Sequence, residues 1–344
     1  MLPGWAQIQF GIFWRRVAEA LPARPQLPLR IAISDCLLGR EVRYDGTSAR
    51  TSFPHTLLDG LFEFRGICPE VGIGLGTPRR PIRLVGSLEQ PRVVGVRDPA
   101  LDVTDALTQY GTTIAETLTD VVGYVFMEKS PSCGLFRVKV HGLHGAGGTS
   151  APLRRGRGVH AAAIVAALPN LPVEESGRLH DRFLRDNFMI RVYAYAHWQK
   201  CFGKTEAGNA GRLVEFHRRY EYLLMAHSVS HYRKAVRLVD DPAREPVEKV
   251  VAYASLLMDG LATPATRAGH ASVLARVQHH LNGHVNEHSR LELARRVAGY
   301  RRWEQALQAP LALIRRLVRE NPDEYLRNQI YLDPYPGYHG LFCK

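Results

Sequence analysis

Two patterns in the 344-residue chain predict an α/β N-terminal domain with a mostly parallel sheet, followed by an all-α helical-bundle C-terminal domain. From Leu29 to about Pro169, short apolar runs alternate with helical stretches, as in successive βαβ units. From Gly211 onward the apolar residues recur at helical spacing. A chain of this length can bury two cores, one for each pattern.

Residues 1–29 hold Trp5, Phe10, Phe13 and Trp14, then Pro22, Pro25 and Pro28, and read as a short amphipathic helix and an extended linker. The expected strands are Arg30–Ser34, Phe62–Ile67, Val93–Val96 and Val121–Met127, with Leu171–Val173 as a further candidate. The expected helices between them are His55–Gly60, Asp105–Thr119 and Val159–Leu168. Arg182–Lys200 carries Phe183, Leu184, Phe188, Met189, Val192, Tyr193 and Tyr195 at helical spacing and predicts a bridging helix, broken at Gly203. The bundle helices are expected at Arg212–Val239, Pro246–Leu261, Pro264–Leu281 and Arg290–Arg319, with a last turn at Asp323–Tyr325. Pro334 and Pro336 hold the tail extended. The chain therefore divides into an N-terminal extension (1–29), an α/β domain (30–175), a connector helix and linker (176–210) and a helical domain (211–344).

The formal net charge is +12, divided about evenly around residue 203. Such a chain attracts polyanions through counterion release, so a nucleic-acid partner is reasonable on electrostatics alone. A general richness in arginine gives the same number. No apolar run is long enough to cross a bilayer, so no membrane partner is expected. Ile8–Leu21 contains Arg15 and Arg16 and lacks a cleavage pattern, so no signal peptide is expected either. Five widely spaced cysteines, an odd number, fit a reducing compartment, and the expected location is cytoplasmic.

Three of those cysteines share one feature. Cys36 follows the apolar run Ile31-Ala32-Ile33, Cys68 follows Phe62–Ile67, and Cys133 follows Val121–Met127 through Lys129-Ser130-Pro131-Ser132. Each thiol lies just past an expected strand, and a parallel sheet can bring all three to one edge, where ligands bind in open α/β folds. Converging thiolates suit a soft metal centre. No Cys-x-x-Cys occurs, which argues against a zinc ribbon or a ferredoxin loop. On spacing alone, buried inert cysteines remain the simpler reading.

Five motifs change that weighting: Ser34-Asp35-Cys36-Leu37-Leu38-Gly39, Val42-Arg43-Tyr44-Asp45-Gly46, Cys68-Pro69-Glu70-Val71, Thr77-Pro78-Arg79 and Ser130-Pro131-Ser132-Cys133-Gly134. In order and spacing they resemble the TudS family of thiouracil desulfidases, over roughly residues 30–170. The second half, including Phe216–Ser228, resembles the helical domain fused to TudS-like domains in RudS-type tRNA 4-thiouridine desulfidases. The resemblance implies a small Rossmann-like domain holding a [4Fe-4S] cluster on Cys36, Cys68 and Cys133, with one iron open to substrate. It implies non-redox, hydrolytic release of sulfide from 4-thiouridine in tRNA, leaving uridine. Cys201 and Cys343 match no ligand position. Two alternatives stay open: salvage of free thiouracil or thiouridine monophosphate, and a non-catalytic tRNA-binding iron–sulfur sensor.

Water addition needs a proton acceptor and sulfide departure a donor. Glu70, two residues past Cys68, is the first candidate, because an extended chain would put both side chains on one face. Ser130 and Ser132, beside Cys133, are candidates to hydrogen-bond a cluster sulfide or the base, or simply to form the turn. Arg43, Tyr44 and Asp45 could hold a ribose or phosphate, as could Arg79, Arg80 and Arg83; solvated loop residues are the plain alternative. Asp35 stands where a small residue is expected, and a buried carboxylate there needs a partner. Gly145–Gly158, with Arg154, Arg155 and Arg157, reads as a mobile basic loop. His227 and His231, one helical turn apart, offer only a weak zinc pattern, and His217, His279, His280 and His284 are treated alike. Tyr220, Tyr222, Tyr232 and Tyr300 interleave with arginines in a mixture that suits RNA stacking, or a tyrosine-rich core.

Overall fold

The computed structural model describes residues 21, 24–49, 60–142, 151–203 and 210–338. The expectations for Ile8–Leu21, His55–Gly60, the glycine-rich stretch after Gly142 and Cys343 lie wholly or mostly outside those residues. The described residues form two compact units, one within 25–196 and one within 197–338 that includes Leu21 and Arg24.

The first unit holds two four-stranded sheets. The strands are β1 (Leu29–Ser34), β2 (Phe62–Ile67), β3 (Ile82–Gly86), β4 (Pro91–Gly95), β5 (Tyr124–Phe126), β6 (Val138–His141), β7 (Leu153–Gly156) and β8 (Val173–Glu175). In one sheet, ordered β2-β1-β5-β8, every pairing is parallel. In the other, ordered β4-β3-β6-β7, the outer pairs are antiparallel and β3 runs parallel to β6. The all-parallel sheet confirms the predicted fold class. Its central strands read as continuous apolar runs because both faces are covered: Ile31, Ala32, Ile33, Tyr124, Val125 and Phe126 are fully buried.

The helical elements of this unit are a short turn α1 (Pro69–Gly72), α2 (Thr104–Glu116) and α3 (Val159–Ala167). Gly111 lets α2 and α3 approach closely, since a Cβ there would meet Ala163 Cβ at 2.7 Å. One core lies under the parallel sheet, around Tyr124, Phe126, Cys133, Ala161 and Ile164, and a second under the mixed sheet, around Leu84, Val93, Leu107, Val138 and Val140.

Helix α4 (Arg182–Phe202) begins in the first unit and ends in the second, which divides at Ala196/His197. The second unit continues with α5 (Ala210–His227), α6 (Val229–Asp240), α7 (Pro246–Ala262), α8 (Arg267–Leu281), α9 (Glu287–Arg301), α10 (Gln308–Glu320) and the turn α11 (Glu324–Arg327). Two expected long helices are each broken. Ser228, extended at φ −155°, ends α5 and caps α6, so Arg212–Val239 is two helices. Residues 302–307 separate α9 from α10, with Trp303 at φ +67°. A third correction concerns the expected basic loop: residues 153–156 form β7, and Gly158 caps α3.

Candidate active site

The parallel sheet delivers the three thiols as its topology requires. Parallel strands β1, β2 and β5 all end at the same edge, and Cys36, Cys68 and Cys133 follow those ends. All three line one cavity of about 480 Å³, together with Arg43, Tyr44, Glu70, Arg79, Met127, Lys129 and Ser130. That volume lies in the range of small-molecule sites.

Each cysteine is fixed by local backbone. Cys36 sits in a 3₁₀ turn, Asp35–Leu38, closed by the Gly39 N–H donating to the Cys36 carbonyl (3.2 Å), with Gly39 left-handed at φ 92°. Cys68 caps the α1 turn, and its thiol faces the Val42 carbonyl at 3.8 Å. Pro69 at the first position makes Cys68–Glu70 the start of a helical turn, not the extended segment expected. Glu70 still reaches the cavity because the turn projects it there.

The loop carrying Cys133 is pinned from both sides. The Ser130 hydroxyl oxygen accepts from the backbone N–H of Ser132 (3.2 Å) and Cys133 (3.1 Å). At the start of α3, the Val159 and Ala161 N–H groups donate to the Pro131 and Ser132 carbonyls, both at 3.1 Å. Only glycine fits at 158, where a Cβ would lie 2.5 Å from the Ser132 carbonyl. The positive end of the α3 dipole thus lies against the Cys133 loop, an arrangement that favours a negatively charged group there.

Burial pushes all three thiols up, Cys36 to about 11 and Cys133 furthest; neighbouring Cys68 adds at Cys36, and the Glu70 charge adds at Cys133. Unligated thiols here are therefore protonated, and a metal centre would release those protons on binding. Three soft sulfur donors lining one cavity fit an iron–sulfur cluster held by three cysteines; the cavity's cations, Arg43, Arg79 and Lys129, are matched there by Asp35, Glu70 and Glu128. Among the described residues, the three sulfurs do not form a set lying within 4.8 Å of one another, the compactness one ion would need. A polynuclear centre asks for a wider ring.

Glu70 and Arg79 are bound to each other. Arg79 Nε donates to Glu70 Oε2 at 2.8 Å and a second guanidinium nitrogen reaches the same oxygen. Arg79 also donates to the carbonyls of Val42 (2.9 Å) and Gly76 (3.0 Å), and its backbone N–H donates to the Tyr44 carbonyl (2.8 Å). One buried guanidinium thereby ties together the Cys68 turn and the 42–44 loop, and Glu70 Oε1 has no partner among the described residues. Tyr44, 45% exposed, stands at the rim. Asp45 is not brought to the cavity; its carboxylate accepts from the Thr47 N–H (3.2 Å) and hydroxyl (2.6 Å), shaping the 43–47 turn. Ser132 is fully buried and does not line the cavity either; its hydroxyl has no hydrogen-bond partner among the described residues. Asp35 pairs with the exposed Arg40 at 3.0 Å, and its buried Oδ1 makes no hydrogen bond among the described residues. Gly66 on β2 makes the room, since a Cβ there would sit 1.9 Å from Asp35 Oδ1.

Residues 31–176 match the model of the 2-thiouracil desulfurase family, and residues 221–336 match that of a family described as a protein of unknown function, DUF1722. The chain is 32% identical over 162 residues to the uncharacterized protein YbgA of Escherichia coli K12, spanning 89% of that protein and 44% of this one. It is 32% identical over 115 residues to the uncharacterized protein YbbK of Bacillus subtilis 168, spanning 72% of that protein and 30% of this one. This chain belongs to the 2-thiouracil desulfurase family through its first part and to the DUF1722 family through its second. Among solved structures, the [4Fe-4S]-dependent thiouracil desulfidase TudS is similar, at 27% identity over 44% of this chain and 94% of that one, with a TM-score of 0.33.

The 2-thiouracil desulfurase domain contains every cavity residue named above. In the helical unit, Tyr220, Tyr222 and Tyr300 are core residues, so they offer no stacking surface; among the described residues the exposed aromatic there is Trp303, 67% exposed, with Arg267 stacked 3.9 Å from its ring. Most histidines there serve the fold. His217 pairs with the Tyr253 hydroxyl (3.0 Å), His227 with the Thr263 carbonyl (2.8 Å) and His231 with the Ser228 hydroxyl (2.8 Å). His280, His284 and Asp323 lie within 4.8 Å of one another, with His280 Nε2 3.0 Å from an Asp323 oxygen. Cys201 is fully buried in α4, within the helical unit, and does not line the three-cysteine cavity. No described helix is long and apolar enough to cross a membrane.

Proposed function

We propose that this protein is a tRNA 4-thiouridine desulfidase using a [4Fe-4S] cluster on Cys36, Cys68 and Cys133. The observation that carries the reading is three thiols from three separate strand ends lining one cavity, inside the segment matched by the 2-thiouracil desulfurase family. When bound, the cluster supplies a Lewis-acidic iron with an affinity for soft thiocarbonyl sulfur. In the overall reaction, water's oxygen forms a bond to the ring carbon, the carbon–sulfur bond breaks, and sulfur leaves as hydrogen sulfide with no net redox change.

Glu70 takes the proton from water at Oε1, while Arg79 holds Oε2 and fixes the carboxylate's orientation. The Ser130 hydroxyl, its oxygen already accepting two backbone N–H groups, has its proton left to give. Tyr44 at the rim offers a face for the base to stack on, with the Arg43 charge beside it. The tRNA assignment is supported by the +12 charge and by the exposed Arg233, Arg237, Arg295, Arg301 and Trp303 of the helical unit. A base in folded RNA has to leave its stack to reach such a cavity. A second reading, with free thiouracil or thiouridine monophosphate as substrate, is favoured by a cavity lying wholly within the α/β unit.

The test is anaerobic reconstitution followed by incubation with thiolated tRNA, scoring 4-thiouridine and sulfide. Glu70→Gln is expected to keep the cluster and lose about 10²–10⁴-fold in rate, the usual worth of a general base. Sulfur retained on tRNA by the loaded wild-type protein would sink the proposal; turnover of free thiouracil alone would select the second reading.

A further inference from the structure

A second cavity, of about 630 Å³, opens in the same α/β unit. It shares Ile82, Glu128, Lys129 and Pro131 with the cysteine cavity, so the two adjoin along one wall. Its floor is the mixed sheet. Strand register sets Lys139 on β6 directly opposite Arg154 on β7. The pairing of Leu84 with Val140 places Arg83 on β3 beside Lys139, so three cations form a row across three adjacent strands. Arg137, Lys139 and His141 alternate with the buried Val138 and Val140, and so share the open face.

Like charges directly opposite each other in a ladder repel. Here the repulsion is left standing. Among the described residues, the side chains of Arg83, Arg137, Lys139 and Arg154 have no carboxylate and no hydrogen-bond partner. The acids nearby are already engaged: a Glu175 oxygen accepts from the Leu135 (2.8 Å) and Phe136 (2.9 Å) N–H groups, and Glu128 pairs with Lys129 at 3.1 Å. Lys129 and Arg137 themselves hold left-handed backbone conformations, at φ 60° and 55°, which non-glycine residues adopt only where surroundings enforce it. Both flank the Cys133 loop, so the segment that carries the thiol also aims cations into this groove.

We propose that the groove is a phosphate site, and that it takes the sugar–phosphate backbone beside the base held in the cysteine cavity. The inference rests on the desulfidase reading for the identity of that base. Phosphate supplies the negative charge that the fold withholds from the row, and a wall shared by both cavities suits a base and its own or a neighbouring phosphate. The same chemistry would accept the phosphate of a free mononucleotide.

The experiment uses the reconstituted full-length protein and the triple variant Arg137→Gln/Lys139→Gln/Arg154→Gln, all three exposed. Binding of unmodified tRNA is followed by fluorescence anisotropy over a salt series, and turnover is measured on thiolated tRNA, 4-thiouridine monophosphate and 4-thiouridine nucleoside. The expected result is a salt slope shallower by about 2–3, at roughly 0.7–0.9 for each phosphate no longer neutralised, with nucleoside turnover unchanged. Loss on tRNA alone identifies the polymer backbone as ligand; loss on the monophosphate as well identifies the nucleotide's own phosphate. Lys139→Arg, which keeps the charge, is expected to bind as wild type. Affinity and slope equal to wild type in the triple variant would overturn the proposal, as would equal loss in Lys139→Arg. If the loaded protein desulfurises nothing, the functional reading fails, and the anisotropy comparison still decides the groove.

Discussion

Cys36, Cys68 and Cys133 differ from Cys201 in surroundings more than in burial. All four are largely or fully enclosed, and burial raises every one of their pKa values. The first three line a cavity with arginines and a carboxylate, whereas Cys201 packs inside a helix. Serine at 36, 68 or 133 removes a soft donor, so each variant is expected to fall from about four irons per chain to below one. Cys201→Ser is expected to keep its iron and its visible absorbance. Iron analysis with absorption spectra checks this without any activity assay, and full loading of any of the three single variants would remove that cysteine from the ligand set.

At the scale of elements, caps decide what helical periodicity leaves open. Apolar spacing runs through Arg212–Val239 without interruption, yet the helix breaks at Ser228. The Ser228 hydroxyl accepts from the His231 N–H and bonds His231 Nδ1 at 2.8 Å, satisfying one of the donors that a helix start leaves bare. Ser228→Ala is expected to cost about 1 kcal/mol in denaturant unfolding of the helical unit, and Ser228→Asp to restore most of it. An unchanged midpoint for the alanine variant would show that tertiary packing alone fixes the break. Of the mixed sheet only β4 was expected, and its other strands were hidden for a related reason. Val138-Lys139-Val140-His141 alternates as a half-exposed strand should, but its outward residues are basic and its neighbours Leu153–Gly156 are more so. Basic composition resembles a loop until the pairing is seen.

For the whole molecule, buried histidines set the response to acid. Burial depresses His217 to about 4 and His270 to about 3, and each is bonded to a tyrosine hydroxyl. Their folded values lie below the ordinary value of about 6.5, so the unfolded chain binds the extra protons in between. Stability is complete above that value and declines as the pH falls toward 4, by up to about 1.4 kcal/mol per pH unit for each histidine. Rises at Glu221 and Asp240, also from burial, pull the other way and blunt the slope. In the α/β unit, His160, depressed to about 4, is opposed by Asp186, raised by burial to about 7, whose contribution is present at low pH and is lost as the pH rises through 7. The helical unit is therefore expected to unfold first on acidification. Emission from Trp198, buried against Phe216 and Tyr253, reports that unit. Emission unchanged to pH 4 would refute the ordering.

The strands of the parallel sheet, the change from α/β to all-α, and the placement of three cysteines past strand ends were legible in the sequence, because period and strand termination are local properties. Parallel pairing of β1, β2 and β5 then follows from few alternatives, and with it the gathering of the thiols. Folding alone decided which polar residues meet. That Arg79 grips Glu70, that Gly66 yields its space to Asp35, that Asp45 and Ser132 turn away from the cavity, and that Arg83, Lys139 and Arg154 align in one row depend on register and close approach between segments distant in the chain. Linear spacing carries no record of those meetings, since each is set by where two strands happen to be paired and not by either strand's own residues.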